Sequence, residues 1–225
     1  MFACQCEKLD NKLLKNLVEE IENRKEFIQP DVIVECLQYF TSFYSISDSL
    51  LNSLFTELSK KSQTMNRFSV FTFLKLRIQG CKVTWVRIAR ELIDKFENET
   101  TDSLNFEEAL VLRSCLLEIH AFDNKKLSGF YDKLNNKLSM EMANYESTGV
   151  GPKLNDYECI EYLIDYIQSL KQFSSFWLTY FENNIETFLN PTESIWIKKN
   201  TFTKLLEGFI TIFAFESSTI ITNVG

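Results

Sequence analysis

The chain has 225 residues and a formal net charge of −7, and 45% of its residues are hydrophobic and 24% charged. These proportions are ordinary for a folded, soluble protein, and the acidic balance, with a pI near 5.0, counts against a free-standing nucleic-acid binder. The longest apolar stretch, LLEGFITIFAFESSTIITNVG, is interrupted by Glu207 and Glu216 and does not reach the ~18 residues of a membrane span, so no direct membrane span is expected.

Amphipathic helices are predicted in pairs from the start of the chain, and the small number of helix breakers, 6 Gly and 3 Pro, favours long helices. The first pair is DNKLLKNLVEEIENR and QPDVIVECLQYFTSFY, with apolar residues at helical spacing. Pro30 and Asp31 are typical of the first turn of the second helix. The second pair is SDSLLNSLFTELSKK and NRFSVFTFLKLRIQG, which is predicted to end at Gly80.

Three further pairs follow. They are TWVRIARELIDKFEN with LNFEEALVLRSCLLEIHAF, NKKLSGFYDKLNNKLS with NDYECIEYLIDYIQSLKQF, and SSFWLTYFENNIETFL with the C-terminal run through Phe215. The loop MANYESTGVGPKLN, which is rich in Gly and Pro, separates the helices of the fourth pair. Patterns that resemble a capping box open three of the second helices, at Asn105/Glu108, Asn155/Glu158 and Asn190/Glu193.

The spacing between equivalent positions predicts the fold. Leu14 to Leu51 and Leu51 to Ile88 each span 37 residues, and later units are longer. Because one helical pair cannot bury its apolar stripe, neighbouring pairs are expected to stack and share a core. The sequence therefore predicts an all-α protein, a right-handed α-solenoid of about five helical hairpins with repeats of 37–50 residues. The predicted single domain covers residues 1–225: an N-terminal tail (1–9), regular repeats (10–122), longer degenerate repeats (123–215) and a C-terminal tail (216–225).

The sequence shows no catalytic or metal-binding signature. No C-x-x-C pair occurs among the six cysteines, and those inside helical runs, Cys36, Cys115 and Cys159, are expected to be buried, reduced thiols. The pattern CQC near the N-terminus lacks enough histidine for a metal site, since His120 is the one histidine of the chain. The segment GVGPK lacks the spacing of a phosphate-binding loop and is interpreted as a flexible inter-helix loop. We expect no enzymatic activity, no cofactor, no metal and no small-molecule substrate.

The segment from Lys60 to Arg90, called the basic window below, contains eight basic residues and no Asp or Glu. Equivalent turns of a solenoid align on one edge, so these charges can gather on one surface. Such a surface suits a phosphate backbone, where affinity comes from neutralised phosphates and counterion release. It also suits an acidic protein partner, and the third interpretation is a solvated face that lacks acids. With Lys82 placed in a turn and Arg87 and Arg90 on one helix face, the predicted RNA-binding residues are Lys60, Lys61, Arg67, Lys75, Arg77, Lys82, Arg87 and Arg90.

Helical pairs of 37–39 residues with this placement of leucines, as in LLNSLFTELSKKSQTMNRFSVFTFLKLRIQGC, resemble the octotricopeptide and heptatricopeptide repeats of organellar RNA-binding proteins, a class often joined to RAP domains. The resemblance covers about residues 10–122 well and 123–215 loosely. It implies a mitochondrial or plastid ribonucleoprotein role, with RNA bound along one face. HEAT-like repeats are the structural alternative.

The functional hypothesis is a non-enzymatic subunit of a ribonucleoprotein, of the mitochondrial-ribosome type, whose basic window contacts RNA phosphates and whose acidic, aromatic remainder contacts neighbouring proteins. The alternative is a protein–protein interaction scaffold, such as an adaptor or an accessory subunit of a mitochondrial membrane or respiratory complex. A third hypothesis is a helical viral or parasite-secreted effector. The opening MFACQCEKLD has no basic n-region, so no signal or transit peptide is expected. The resemblance implies a mitochondrial location, and the cysteines otherwise indicate a reducing intracellular one.

Overall fold

The computed structural model describes residues 11–43, 47–76, 82–97, 101–119, 125–154, 157–170, 174–189 and 207–208. Within these ranges all regular structure is helical, with nine α-helices and no strand. The predicted all-α class is confirmed, while the solenoid arrangement, the repeat count and the single domain stay predictions. The chain divides into two compact units, a first unit (Met1–Thr100 with Glu118–Ala121) and a second unit (Thr101–Leu117 with Phe122–Gly225).

The described residues of the first unit form five α-helices: α1 (Asn11–Arg24), α2 (Pro30–Phe43), α3 (Asp48–Lys61), α4 (Arg67–Lys75) and α5 (Lys82–Glu97). Helix α2 begins at Pro30, as its fixed φ and missing N–H favour. The side chains of Ser47 and Asn66 accept hydrogen bonds from the first turns of α3 and α4 and so cap those helices. Helix α4 ends at Lys75, and the predicted stop at Gly80 lies outside the described residues.

The core of the first unit is built from the apolar stripes of its helices. Leu37, Leu54 and Phe55 are completely buried, as the helical spacing predicts. The rings of Phe55 and Phe73 meet edge to face, with 5.9 Å between their centroids. Trp85 is buried and donates its indole N–H to the carbonyl of Phe73 at 3.3 Å, so its polar atom is satisfied.

The second unit contains α7 (Lys125–Thr148), α8 (Tyr157–Ser169), α9 (Ser175–Leu189) and most of α6 (Phe106–Glu118). The predicted capping box at the start of α6 is confirmed. The Asn105 N–H donates to Glu108 Oε2, and the Glu108 N–H donates to Asn105 Oδ1, both at 2.9 Å. The other two predicted capping boxes fall outside the described residues.

Helix α7 is longer than predicted, because the first half of the predicted loop MANYESTGVGPKLN is helical. The reason is a continuous apolar stripe: Leu134, Leu138 and Met142, four residues apart, are all buried. The helix stops at Thr148 because Gly149 has φ 69°, a left-handed conformation that glycine adopts without strain. No helix in the described part of the chain is long and apolar enough to cross a membrane.

The connections from α1 to α2, from α3 to α4 and from α5 to α6 share one local feature. The described residues of each connection include a 3₁₀ turn, at Lys25–Phe27, Ser62–Thr64 and Thr101–Ser103. The first residues of these turns lie 37 and 39 residues apart, which matches the predicted period. In each turn the next backbone N–H donates to the carbonyl of the first turn residue. The sequence period therefore corresponds to a recurring local structure.

Candidate nucleic-acid interface

The basic window runs through α3, α4 and α5 of the first unit. The structure describes the side chains of six of the eight predicted RNA-binding residues: Lys60, Lys61, Arg67, Lys75, Arg87 and Arg90. Lys82 is the first residue of α5 and not part of the preceding turn, so that detail of the prediction is wrong. The structure describes the backbone of Lys82 but not its side chain, and Arg77 lies outside the described residues.

Lys60 neutralises a buried acid. Its Nζ lies 2.6 Å from Oε1 of Glu57, whose side chain is only 7% exposed. The hydrogen bond that Lys60 donates to Glu57, together with the negative charge of Glu57, raises the pKa of Lys60. A carboxylate removed from water needs a positive partner, so part of the charge of Lys60 is used inside the first unit.

Lys61 caps backbone carbonyls. Its Nζ donates to the carbonyl oxygens of Lys25, Glu26 and Ile28, at 3.3, 2.8 and 2.9 Å. An ammonium group has three donors, so all three are engaged. Lys61 therefore ties the α1–α2 turn to the end of α3.

A second lysine, on α5, makes the same kind of contact, although its role is not evident in the sequence. Lys95 donates from Nζ to the carbonyl of Ser62, in the α3–α4 turn, at 2.9 Å. Burial lowers the pKa of Lys95. The signal that could have identified this residue is its distance of 34 residues from Lys61, close to the repeat period.

Two arginines of the basic window combine exposure with an internal contact. Cζ of Arg67 lies over the rings of Phe71 and Phe96, 5.8 and 5.4 Å from their centroids, which is cation–π geometry. Arg90 donates from Nη2 to the carbonyl of Ile119 at 3.1 Å. Both arginines remain exposed to solvent. Each can therefore face a partner while it supports the fold.

Arg87 differs from its neighbours. It is exposed on α5 and makes no hydrogen bond or ion pair with any residue that the structure describes. Val83, Arg87 and Arg90 follow one another at four- and three-residue spacing, which places them on one face of α5. Val83 is 86% exposed. This face thus offers positive charge and apolar surface together.

Large apolar side chains are also exposed elsewhere in the first unit. Phe27 in the α1–α2 turn is 85% exposed, and Phe68 in the first turn of α4 is 78% exposed. Two contacts bring the α1–α2 turn close to the start of α4. The Asn66 N–H donates to Asp31 Oδ1 at 3.2 Å, and Lys61 donates to carbonyls of the α1–α2 turn. Phe68 directly follows the exposed Arg67.

The described thiols and acids do not form a metal centre. Among the described residues no group of three or more His, Cys, Asp or Glu side chains is placed to hold a metal ion. Cys115 and Cys159 are buried and in no disulfide, as predicted. Cys36 is only partly buried, and its pKa is raised by burial and by the neighbouring charge of Glu35.

The loop at residues 149–154 packs against α9 and is not a freely solvated connection. The Tyr180 hydroxyl donates to the carbonyl of Pro152 at 2.8 Å, and a Cβ at Gly151 would overlap the Tyr180 ring. The loop and α9 line an open groove of about 520 Å³. Burial raises the pKa of Tyr180. This groove lies in the second unit and contains none of the predicted RNA-binding residues.

The chain has no significant match among protein-family models, curated proteins or solved structures. The resemblance to octotricopeptide-type repeats stays a prediction that rests on the repeat period and the placement of leucines.

Proposed function

We propose that this chain is a non-enzymatic helical-repeat subunit of a ribonucleoprotein and contacts RNA phosphates through the exposed part of its basic window. The observation that carries the proposal is the exposed pair Arg87 and Arg90 on one face of α5, inside a stretch without a single carboxylate. An acidic remainder repels a polyanion, so contact is restricted to this face. A mitochondrial-ribosome-type assembly is the setting that the sequence resemblance implies.

The same proposal includes a solenoid arrangement of the hairpins. Its support is a pair of similar lysine contacts within the first unit. Lys61 of α3 binds the turn after α1, and Lys95 of α5 binds the turn after α3. Repeated contacts between neighbours along the chain are the defining property of a solenoid.

The exposed residues do not contribute equally to RNA binding. Lys61 donates its N–H groups to backbone carbonyls, and Lys60 forms an ion pair with the buried Glu57. Arg87 makes no hydrogen bond or ion pair with the described residues. We therefore expect Arg87 to carry the largest share of the phosphate contacts that can be removed without disturbing the fold.

The test compares Arg87→Glu with Lys133→Glu, a matched charge reversal at an exposed lysine on α7. Arg87→Glu should abolish retention in the native ribonucleoprotein, whereas Lys133→Glu should leave it unchanged, and both should keep the helical circular-dichroism spectrum. With the purified protein and single-stranded RNA, Arg87→Gln should lower the slope of log affinity against log salt by about one. Undiminished RNA association of Arg87→Glu would overturn the proposal.

A protein-interaction scaffold is the second candidate, and the exposure of Phe27, Phe68 and Val83 favours it. Exposed apolar side chains of this size are typical of protein interfaces. In this case Phe68→Ala should weaken association with native partners, ribonuclease treatment should have no effect, and Arg87→Glu should still associate. The two candidates therefore give opposite results in the same pull-down.

A further inference from the structure

Arg113 is a nearly buried cation in the middle of α6, far along the chain from the basic window. It is 5% exposed. Its Nε donates to Asn135 Oδ1 at 2.8 Å, and its Nη2 donates to Ser169 Oγ at 2.9 Å. Its Cζ lies 4.6 Å from the ring centroid of Tyr166 and 5.6 Å from that of Tyr131. All of these partners belong to the second unit, and all are neutral.

The guanidinium lacks the partner that a buried arginine usually has. No carboxylate of the described residues forms an ion pair with Arg113. Burying an arginine without an anion is costly, and buried charges are normally paired. Ring faces and neutral acceptors offset part of that cost. They leave the positive charge uncompensated.

The guanidinium also has donors to spare. Two of its five N–H groups are used, by Asn135 and Ser169. Nη1 makes no hydrogen bond to a described residue, yet in the described part of the chain it is not one of the enclosed side-chain atoms that lack a hydrogen bond. Nη1 therefore reaches the surface. The edge formed by Nη1 and the second N–H of Nη2 can bind an anion in the two-pronged manner typical of arginine.

We propose that Arg113, held in place by Asn135, Ser169 and the Tyr166 ring, is a binding site for the carboxylate of an acidic side chain on a partner protein. Three fixed contacts hold the guanidinium plane, so little side-chain entropy is lost on binding. The site is separate from the basic window and does not depend on RNA.

A carboxylate fits this site better than a phosphate polymer. The second unit carries 16 Asp and Glu against 10 Lys and Arg, so a polyanion is repelled while a single negative charge is tolerated. The opening at a side chain that is 5% exposed is narrow, and a planar carboxylate presents a thin edge to it.

The direct test uses acetate, which reproduces the end of an aspartate side chain, and NMR detection of the arginine Nε–H signals at constant ionic strength. The Arg113 signal, assigned by its absence in Arg113→Lys or by its shift in Ser169→Asp, should change saturably. The acetate concentration at the midpoint of this change should be about tenfold lower than the concentration that changes the Arg87 signal. A response to inorganic phosphate without one to acetate, or no saturable response to either, would overturn the proposal.

A second test places the missing carboxylate inside the chain. Ser169 is the last residue of α8, and its hydroxyl donates to the carbonyl three residues earlier. Ser147, near the end of α7, donates its hydroxyl to a carbonyl in the same way. Ser147→Asp is therefore a matched control for Ser169→Asp: both put a carboxylate at a helix C-terminus and lose the same local hydrogen bond. Ser169→Asp alone puts it beside Arg113.

The unfolding equilibrium constant of Ser169→Asp should be on the order of tenfold smaller than that of Ser147→Asp, as a charge-assisted hydrogen bond predicts. The acetate response of Arg113 should disappear in Ser169→Asp and persist in Ser147→Asp. Equal stability of the two variants, or a persisting acetate response in Ser169→Asp, would show that the guanidinium has no vacant carboxylate position.

Discussion

Replacement of Lys61 by methionine should destabilise the first unit, although the charge pattern places Lys61 among the RNA-binding residues. Methionine keeps an unbranched apolar stem and removes the ammonium group. The carbonyls of Lys25, Glu26 and Ile28 then lose a donor that lies 3.3, 2.8 and 2.9 Å away. The α1–α2 turn loses its tie to the end of α3.

The size of the effect follows from the number and exposure of these carbonyls. A hydrogen bond that involves a charged group contributes about 1.5–3 kcal/mol to stability. One ammonium group serves all three carbonyls, and the carbonyl of Glu26 is open to water, which can replace the lost donor. We therefore expect Lys61→Met to lower the free energy of unfolding by roughly 1.5 kcal/mol in total, the lower end of that range.

Urea unfolding followed by circular dichroism measures the change, with Lys133→Met as the control at an exposed position on α7. The control should unfold like the parent protein. RNA affinity of Lys61→Met, measured under folding conditions, should stay close to that of the parent. If Lys61→Met unfolds at the parent's urea concentration but binds RNA more weakly, the capping role is wrong and Lys61 is a binding residue.

Two other predictions concern the core and its tyrosines. Leu54→Ala and Leu110→Ala should each lower the free energy of unfolding by about 2–5 kcal/mol, because both side chains are at most 1% exposed; parent-like urea unfolding would contradict the helix register. Burial raises the pKa of Tyr145, Tyr166 and Tyr180, so above about pH 10 the unfolded state loses these protons first. The contribution of these tyrosines to the free energy of unfolding should be fully present below that pH. It should fall as the pH rises toward the pKa values of the folded state. Tyrosinate absorbance and urea unfolding across a pH series measure this, Tyr180→Phe should weaken the dependence, and a flat profile would refute it.

Local sequence signals predict the helices of this chain well. Pro30 and the capping box at Asn105 and Glu108 act within one turn, and the structure has both where the sequence predicts them. The sequence does not predict the full extent of α7, because polar residues around Met142 hide the buried position that continues its stripe. The helix boundaries are therefore accessible from the sequence where the signal is a cap within one turn, and less so where polar neighbours hide a buried stripe.

Side-chain roles are less predictable, because they depend on contacts between residues far apart in sequence. Lys61 reaches carbonyls 33–36 residues earlier, and a count of charges cannot separate it from a residue that faces solvent. Arg113 lies inside an apolar run, and its acceptor Ser169 is 56 residues away. The sequence therefore predicts that the basic window is unusual, but the division of its charges between folding and binding requires the structure.

The fold itself supplies a reason for part of the acid-free stretch. Lys61 and Arg90 donate to backbone carbonyls, and Arg67 lies over two aromatic ring faces. Carbonyl oxygens and ring faces are negative, so a carboxylate at any of these three positions would be repelled. Arg87 has no comparable contact with the described residues, so the fold does not demand its charge. Charge reversal at Lys61 or Arg90 should therefore disturb the fold, whereas reversal at Arg87 should leave the fold intact, so Arg87→Glu is the variant that decides whether the window serves RNA.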